Sequence, residues 1–164
     1  MTRASAQQWL RFRLQGTEYA IALEAVAEVT APKQPNLIPL VPLEIGGILN
    51  VRGEPLPAVD GCALIGMPGA GEAAPRPALV LEEAKVRVGV LVDSVSRIER
   101  GLEESGPDES FEGEPPPELA FVEWVRHGGE RVGLVDANGW LGLATGLLTK
   151  QGGHGGEEAC PSGS

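Results

Sequence analysis

Few side chains in this sequence could do chemistry, and their placement argues against it. The two histidines are His127, beside Gly128-Gly129, and His154, in a Gly-rich tail. An activated serine or cysteine needs an imidazole held next to it, and no oriented Ser/His or Cys/His pair can be argued from these positions. A lone turn histidine reads as structural or exposed. Cys62 and Cys160 lack zinc-ligand spacing and any disulfide framework, so both read as free thiols. No Gly-rich phosphate loop, Gly-Lys-Ser/Thr or His-Glu-x-x-His motif is present. One constellation invites an enzymatic reading: an apolar pair followed by Asp recurs as Ala58-Val-Asp-Gly61 and Leu134-Val-Asp-Ala137. Paired Asp60 and Asp136 would resemble an aspartic protease, whose two carboxylates share a proton. Neither copy has the hydroxyl residue that such a site places after its Asp. Each Asp therefore reads as closing a strand by bonding to a turn backbone. No catalytic, metal or cofactor site is expected.

The elements around these residues explain the pattern better. The 164 residues suffice for one compact domain or two small barrels sharing a core. Gly 23 and Pro 14, with 42% apolar residues, suit many short strands joined by tight turns. The net charge of -10 repels a phosphate backbone, so nucleic acid is excluded as a partner. The N-terminus lacks the apolar core of a signal peptide and no 18 apolar residues run together, so no membrane insertion and a cytoplasmic location are expected.

Alternation predicts a hairpin over Trp9–Leu14 and Tyr19–Leu23, then a short helical turn over Glu24–Val29, where Val26 and Val29 stand three apart. Strands are expected at Ile45–Val51 and Leu56–Asp60, followed by a small-residue break at 68–77, then strands at 78–81 and 86–93. The second half repeats the first. Tyr19–Val29 aligns with Val88–Ile98 at an offset of 93 − 24 = 69, and Leu56–Asp60 aligns with Val132–Asp136 at 136 − 60 = 76. The extra seven residues mark an insertion in the second copy. Between Glu99 and Glu118 eight acidic residues face Arg100 alone, which predicts a solvated acidic connector. Residues 1–8 read as a flexible N-terminus and 150–164 as a disordered tail.

These residues carry a family resemblance. Phe12-x-Leu14, Tyr19-Ala-Ile-Ala-Leu23, Val26-x-Glu28-Val29, Ile38-Pro39, Gly46-Gly-Ile-Leu-Asn-Val-Arg-Gly53, Pro57-Ala-Val-Asp60 and Val88-Gly-Val-Leu-Val-Asp93 resemble the chemotaxis coupling protein family, CheW, across residues 9–149. The most specific piece is Gly47–Gly53 followed by Pro57 and Asp60. The resemblance implies an all-β fold of two pseudo-symmetric five-stranded SH3-like barrels with short helical turns. It places the first barrel at about 20–75 and the second at about 78–149, together with the N-terminal strand and the acidic insertion at 99–118. It also implies a non-catalytic adaptor that joins the cytoplasmic tip of a methyl-accepting chemoreceptor to the regulatory domain of a CheA-type histidine kinase.

Carried over by motif, Arg52 matches the arginine of a receptor-facing turn, Glu28 the acidic residue that pairs with it, and Val26 a receptor-contact position. Asn50 and Val51 flank Arg52 and join the receptor-binding candidates, whereas Gly53, Gly47 and Pro57 shape the turn. Arg52 could alternatively be a solvated turn charge. Departures from the family pattern stand at Pro55, Gly61 and Glu123. Three functional readings follow: a coupling adaptor for receptor and kinase, an accessory paralogue that keeps one partner and tunes or insulates the array, and, remotely, an aspartic-protease-like enzyme.

Overall fold

The computed structural model describes residues 7–36, 45–65, 75–83, 85–105 and 121–147. Ten strands run in the order β1 (Gln8–Leu14), β2 (Thr17–Ala22), β3 (Val26–Val29), β4 (Ile45–Val51), β5 (Glu54–Asp60), β6 (Ala78–Glu83), β7 (Val86–Leu91), β8 (Ser94–Arg100), β9 (Phe121–His127) and β10 (Glu130–Val135). They form two five-stranded sheets, ordered β8-β1-β2-β10-β9 and β3-β6-β7-β5-β4; the sheet that holds β1 is called the first barrel from here on and the sheet that holds β3–β5 the second, the reverse of the expected numbering. Three hairpin turns have two successive residues with positive φ: Gln15-Gly16 (51° and 82°), Arg52-Gly53 (54° and 82°) and Gly128-Gly129 (60° and 83°). That is the turn whose twist suits tightly joined antiparallel strands.

The repeat seen in the sequence is a repeat in space. Arg11 pairs with Ala20 in β1–β2, and Val80 with Gly89 in β6–β7, so both partners shift by 80 − 11 = 69 and 89 − 20 = 69. Val132 pairs with Val125 and Leu56 with Leu49, giving 132 − 56 = 76 and 125 − 49 = 76. Each sheet also contains one parallel pair, β2–β10 and β5–β7, in matching register. The copies exchange strands, however. The first half gives β1 and β2 to one sheet and β3–β5 to the other, and the second half does the reverse with β6–β7 and β8–β10. A division near residue 77 therefore does not separate the barrels: β6 and β7 complete the sheet of β3–β5, and β2 joins β1 in the sheet of β8–β10. Side-chain alternation is blind to which sheet a hairpin enters.

Each sheet buries two faces. Leu10, Phe12, Leu14, Tyr19 and Ile21 from one sheet meet Val59, Leu79, Leu81, Val88 and Val90 from the other in a shared core. The alternate residues fill separate inner cores, Trp9, Ala20, Leu102, Val125, Val132 and Leu134 in one barrel and Leu49, Val51, Leu56, Ala58, Ala78, Val80 and Leu91 in its sibling. In the second sheet the chain after β3 continues the edge ladder, Lys33 bridging Arg76, and then crosses to the far edge strand, Asn36 bridging Ile48. Edge strands of a flat five-stranded sheet would lie about 19 Å apart at ~4.8 Å per strand, so this crossing closes the barrel.

Several expectations are corrected. The helical turn after the first hairpin is a single 3₁₀ turn, Leu23–Ala25, and Val26 and Glu28 lie on β3, which pairs with β6. The acidic connector is ordered at its start: Glu99 belongs to β8, and a 3₁₀ turn over Leu102–Glu104 plugs the first barrel with Leu102, which is fully buried. The remainder, 106–118, lies outside the described residues, as do Ile38-Pro39, residues 68–74 of the small-residue break, His154, Cys160, residues 1–6 and the tail at 150–164. A helix over 137–147 (α2) went unforeseen. Its spacing of Trp140, Leu141 and Ala144 is helical, and all three enter the shared core.

The departures also find local reasons. Pro55 pairs with Asn50 of β4, while β5 pairs with β7 only over Ala58–Asp60, so the missing donor falls where β5 has one neighbour. A Cβ on Gly61 would stand 2.7 Å from the Leu91 carbonyl oxygen, which leaves no room for a side chain.

Candidate interaction site

The expected site residues converge at one end of the second barrel. The β4–β5 turn presents Arg52 at 80% side-chain exposure, and its Nε lies 3.4 Å from Glu28 Oε2 on β3. The turn is held from within, because the Gly53 amide donates to Asn50 Oδ1 at 2.9 Å. Lys33 Nζ donates to the Asn50 carbonyl at 2.8 Å, adding a second cation that the motif did not indicate. Gly47 (φ 123°) sits at a β4 bulge against the Asn36 carbonyl, where any Cβ would collide. Pro57 pairs with Ile48 across the hairpin. Val26 is half-buried, whereas Val51 is buried in the inner core and anchors the turn without offering surface. Val29 follows Glu28 on β3 and is 39% exposed.

Arg52 adopts φ 54°, a left-handed conformation that costs a non-Gly residue about 1 kcal/mol or more. The equivalent turn in the other barrel carries Gly128 at φ 60°. Gln15 takes the same conformation in the β1–β2 turn, so what distinguishes the β4–β5 turn is the exposed cation it presents. Its pair with Glu28 is a surface ion pair, worth roughly 0.2–1 kcal/mol.

A second charged constellation lies inside the first barrel. Arg11 is 1% exposed and reaches three carboxylates, Glu18 (3.1 Å), Glu99 (2.8 Å) and Glu130 (2.6 Å). Burial is the largest single influence and opposes its charge, but Glu99, Glu130 and Glu18 together outweigh it and raise its pKa. The bond to Arg11 in turn holds both Glu99 and Glu130 below the ordinary carboxylate range. Glu99 also meets His127 Nε2 at 3.2 Å, and His127 Nδ1 lies 3.0 Å from Ser105 Oγ. His127 is therefore oriented by partners more than twenty residues away, which a reading of its neighbours in sequence could not find.

The two recurring aspartates serve as helix caps. Asp60 Oδ1 accepts from the Cys62 amide at 2.9 Å ahead of the helix α1 (Gly61–Leu64), and its carboxylate meets Arg76 at 3.2 Å. Asp136 Oδ1 accepts from the Asn138 amide at 3.2 Å at the start of α2. Asp60 is buried and ion-paired while Asp136 is exposed, an arrangement unlike two carboxylates sharing one proton. Cys62 is a buried free thiol whose pKa burial pushes up to about 11. Among the described residues no cluster of His, Cys, Asp or Glu could hold a metal, and no helix is long and apolar enough to cross a membrane.

Residues 8–116 match the CheW-like domain. The chain belongs to the CheW-like domain family. It is 34% identical over 93 residues to the chemotaxis protein CheW of Rhizobium meliloti (strain 1021), covering 56% of this chain and 59% of that protein. A probable chemotaxis protein CheW of Rhizobium etli is 30% identical over 92 residues, with the same shares. The chain thus spans 59% of the length of these two CheW relatives. Protein PilI of Pseudomonas aeruginosa is 30% identical over 126 residues, covering 76% of this chain and 68% of PilI. The crystal structure of the scaffolding protein CheW from Thermoanaerobacter tengcongensis superposes with a TM-score of 0.63 at 23% identity, over 79% of this chain and 88% of that one. The CheW fold is accordingly shared, including the expected pair of five-stranded SH3-like barrels.

Proposed function

We propose that this CheW-like chain is a non-catalytic cytoplasmic adaptor that couples a chemoreceptor's cytoplasmic tip to the regulatory domain of a CheA-type histidine kinase. The observation that carries the reading is Arg52: a long cation held exposed in a left-handed turn and paired with Glu28 of β3. Such a turn offers a receptor helix one charged anchor, the kind of residue on which small binding hot spots centre. Asn50, Gly53, Gly47 and Pro57 position that anchor, and Val51 roots it in the inner core. Titration of the chain with a receptor-tip fragment and, separately, with a kinase regulatory domain tests the proposal. Binding of both supports the coupling adaptor, binding of one supports the accessory paralogue, and binding of neither refutes both.

A further inference from the structure

Ser105, His127 and Glu99 lie in a chain of hydrogen bonds that the adaptor role does not use. Ser105 follows the 3₁₀ turn that plugs the first barrel, His127 ends β9, and Glu99 lies near the end of β8. His127 Nε2 faces the Glu99 carboxylate at 3.2 Å, and His127 Nδ1 faces Ser105 Oγ at 3.0 Å. A carboxylate can only accept, so Nε2 carries the proton. With Nε2 as the donor to Glu99, the tautomer that holds no proton on Nδ1 directs that lone pair at the serine hydroxyl, which then donates to it. Glu99 is fixed in turn by Arg11 Nη1 at 2.8 Å and by Arg97 Nε at 3.4 Å. Bonding to Arg11 keeps Glu99 ionised, so the orienting charge is present at neutral pH. Ser105 and His127 are both only half-buried.

The sibling barrel lacks the arrangement. Its counterparts of Glu99 and His127 are Thr30 (99 − 69 = 30) and Val51 (127 − 76 = 51). Barrel closure there needs neither acid nor imidazole, so the fold as such does not demand the relay. A nucleophile within about 3 Å of a base, with that base oriented by a third group, is the general signature of an activated hydroxyl.

We propose that Ser105 is an activated nucleophile, with His127 as its base and Glu99 as the residue that orients the base, and that it takes up acyl or phosphonyl groups from activated esters. In the step, Ser105 Oγ forms a bond to the electrophilic carbon or phosphorus and His127 Nδ1 accepts the hydroxyl proton. The bond to the leaving group breaks with its electron pair, and the proton passes from Nδ1 to the leaving group, which completes the balance without any redox partner.

A fluorophosphonate serves as the probe, since it phosphonylates activated serines and releases fluoride while ordinary serines stay inert. The full chain is incubated with it, and adducts are counted by intact mass and located by peptide mapping. One adduct at Ser105 is expected, absent in Ser105→Ala and formed at least tenfold more slowly in His127→Gln. Glu99→Gln should slow it by a smaller factor. Wild-type chain unfolded in urea should not react, which separates relay activation from intrinsic reactivity even if a variant fails to fold. Absence of an adduct, an adduct elsewhere, or a His127→Gln rate equal to wild type would overturn the proposal.

Discussion

The two barrels are built to one plan and stabilised by different means. At the position where the first barrel buries Arg11 against β8, the second buries Val80, its counterpart at 80 − 11 = 69. The surrounding charges persist in altered form. Glu130 and Glu18 of the first barrel correspond to Glu54 (130 − 76 = 54) and Arg87 (18 + 69 = 87), which make a partly exposed ion pair at 3.0 Å. One barrel thus buries Arg11 in its interior, whereas the other has Val80 at that position, carries Arg87–Glu54 and Arg52–Glu28 nearer the surface, and keeps its buried pair, Arg76–Asp60, at the start of α1. The exposed turn is correspondingly free to carry function in the second barrel, and its counterpart Gly128-Gly129 is a plain hairpin. Shared topology therefore leaves open which chemistry stabilises each copy.

The strongest way to break this contrast is to remove its centre. Arg11→Met removes the buried cation shared by Glu18, Glu99 and Glu130 and leaves Glu18, whose side chain is 8% exposed, with Arg13 and Ser96 on its other oxygen alone. Breaking one side of such a buried network costs about 3–5 kcal/mol. Urea denaturation should record a loss of that order, while Val80→Ala in the sibling should cost less. A small loss in Arg11→Met would show that the network is nearly self-cancelling.

Next comes the plug. Leu102→Ala should cost about 2–5 kcal/mol, because Leu102 is fully buried among Trp9, Val125 and Val132. Thermal unfolding measures it, and a change within error would place Leu102 outside the core. Shortening the acidic connector with tolerance must accordingly begin after Ser105.

Acid should act on the first barrel selectively. The ordinary carboxyl value is 4.5, and Arg11 holds folded Glu99 and Glu130 below it. Their contribution is complete above about pH 4.5 and is lost as pH falls through the lower folded values. Melting temperature followed from pH 7 to pH 3 should decline in the wild type and decline less steeply in Arg11→Met. Equal slopes would mean that the network contributes nothing to acid sensitivity.

How much of this was legible beforehand follows from what side-chain periodicity records. The strands β1, β2 and β4–β7, the 69- and 76-residue offsets and the backbone bonds of the two Asp could be read because alternation, turn residues and a strand-ending Asp act locally, whereas β3 read as a helical turn and the helix after Asp136 went unread. Strand exchange could not, since β6–β7 carry the same alternation whichever sheet they enter. The buried Arg11 resisted reading for a related reason: Trp9-Leu-Arg-Phe12 places a charge among apolar residues, and its three carboxylates arrive from β2, β8 and β10. Leu102 was hidden by acidic neighbours that set the average of the segment. At the interaction site the motif named Arg52, Glu28 and Val26. Lys33 became visible only when the chain after β3 was seen to run beside the turn.

The smallest effect sharpens the comparison most. Arg52→Gly relieves the left-handed strain, about 1 kcal/mol or more, and removes one exposed ion pair of roughly 0.2–1 kcal/mol, two effects that oppose each other. Thermal unfolding should therefore shift by no more than a few degrees, and a large loss would make Arg52 a structural residue like Arg11.

Binding is where Arg52 should matter, and titration of wild type and Arg52→Ala with a receptor-tip fragment measures it directly. Losing a desolvated anchor costs about 2 kcal/mol or more, a roughly thirtyfold weaker Kd, against a melting temperature that barely moves. Equal affinity for the two proteins would contradict the assignment of this turn as the receptor-binding site.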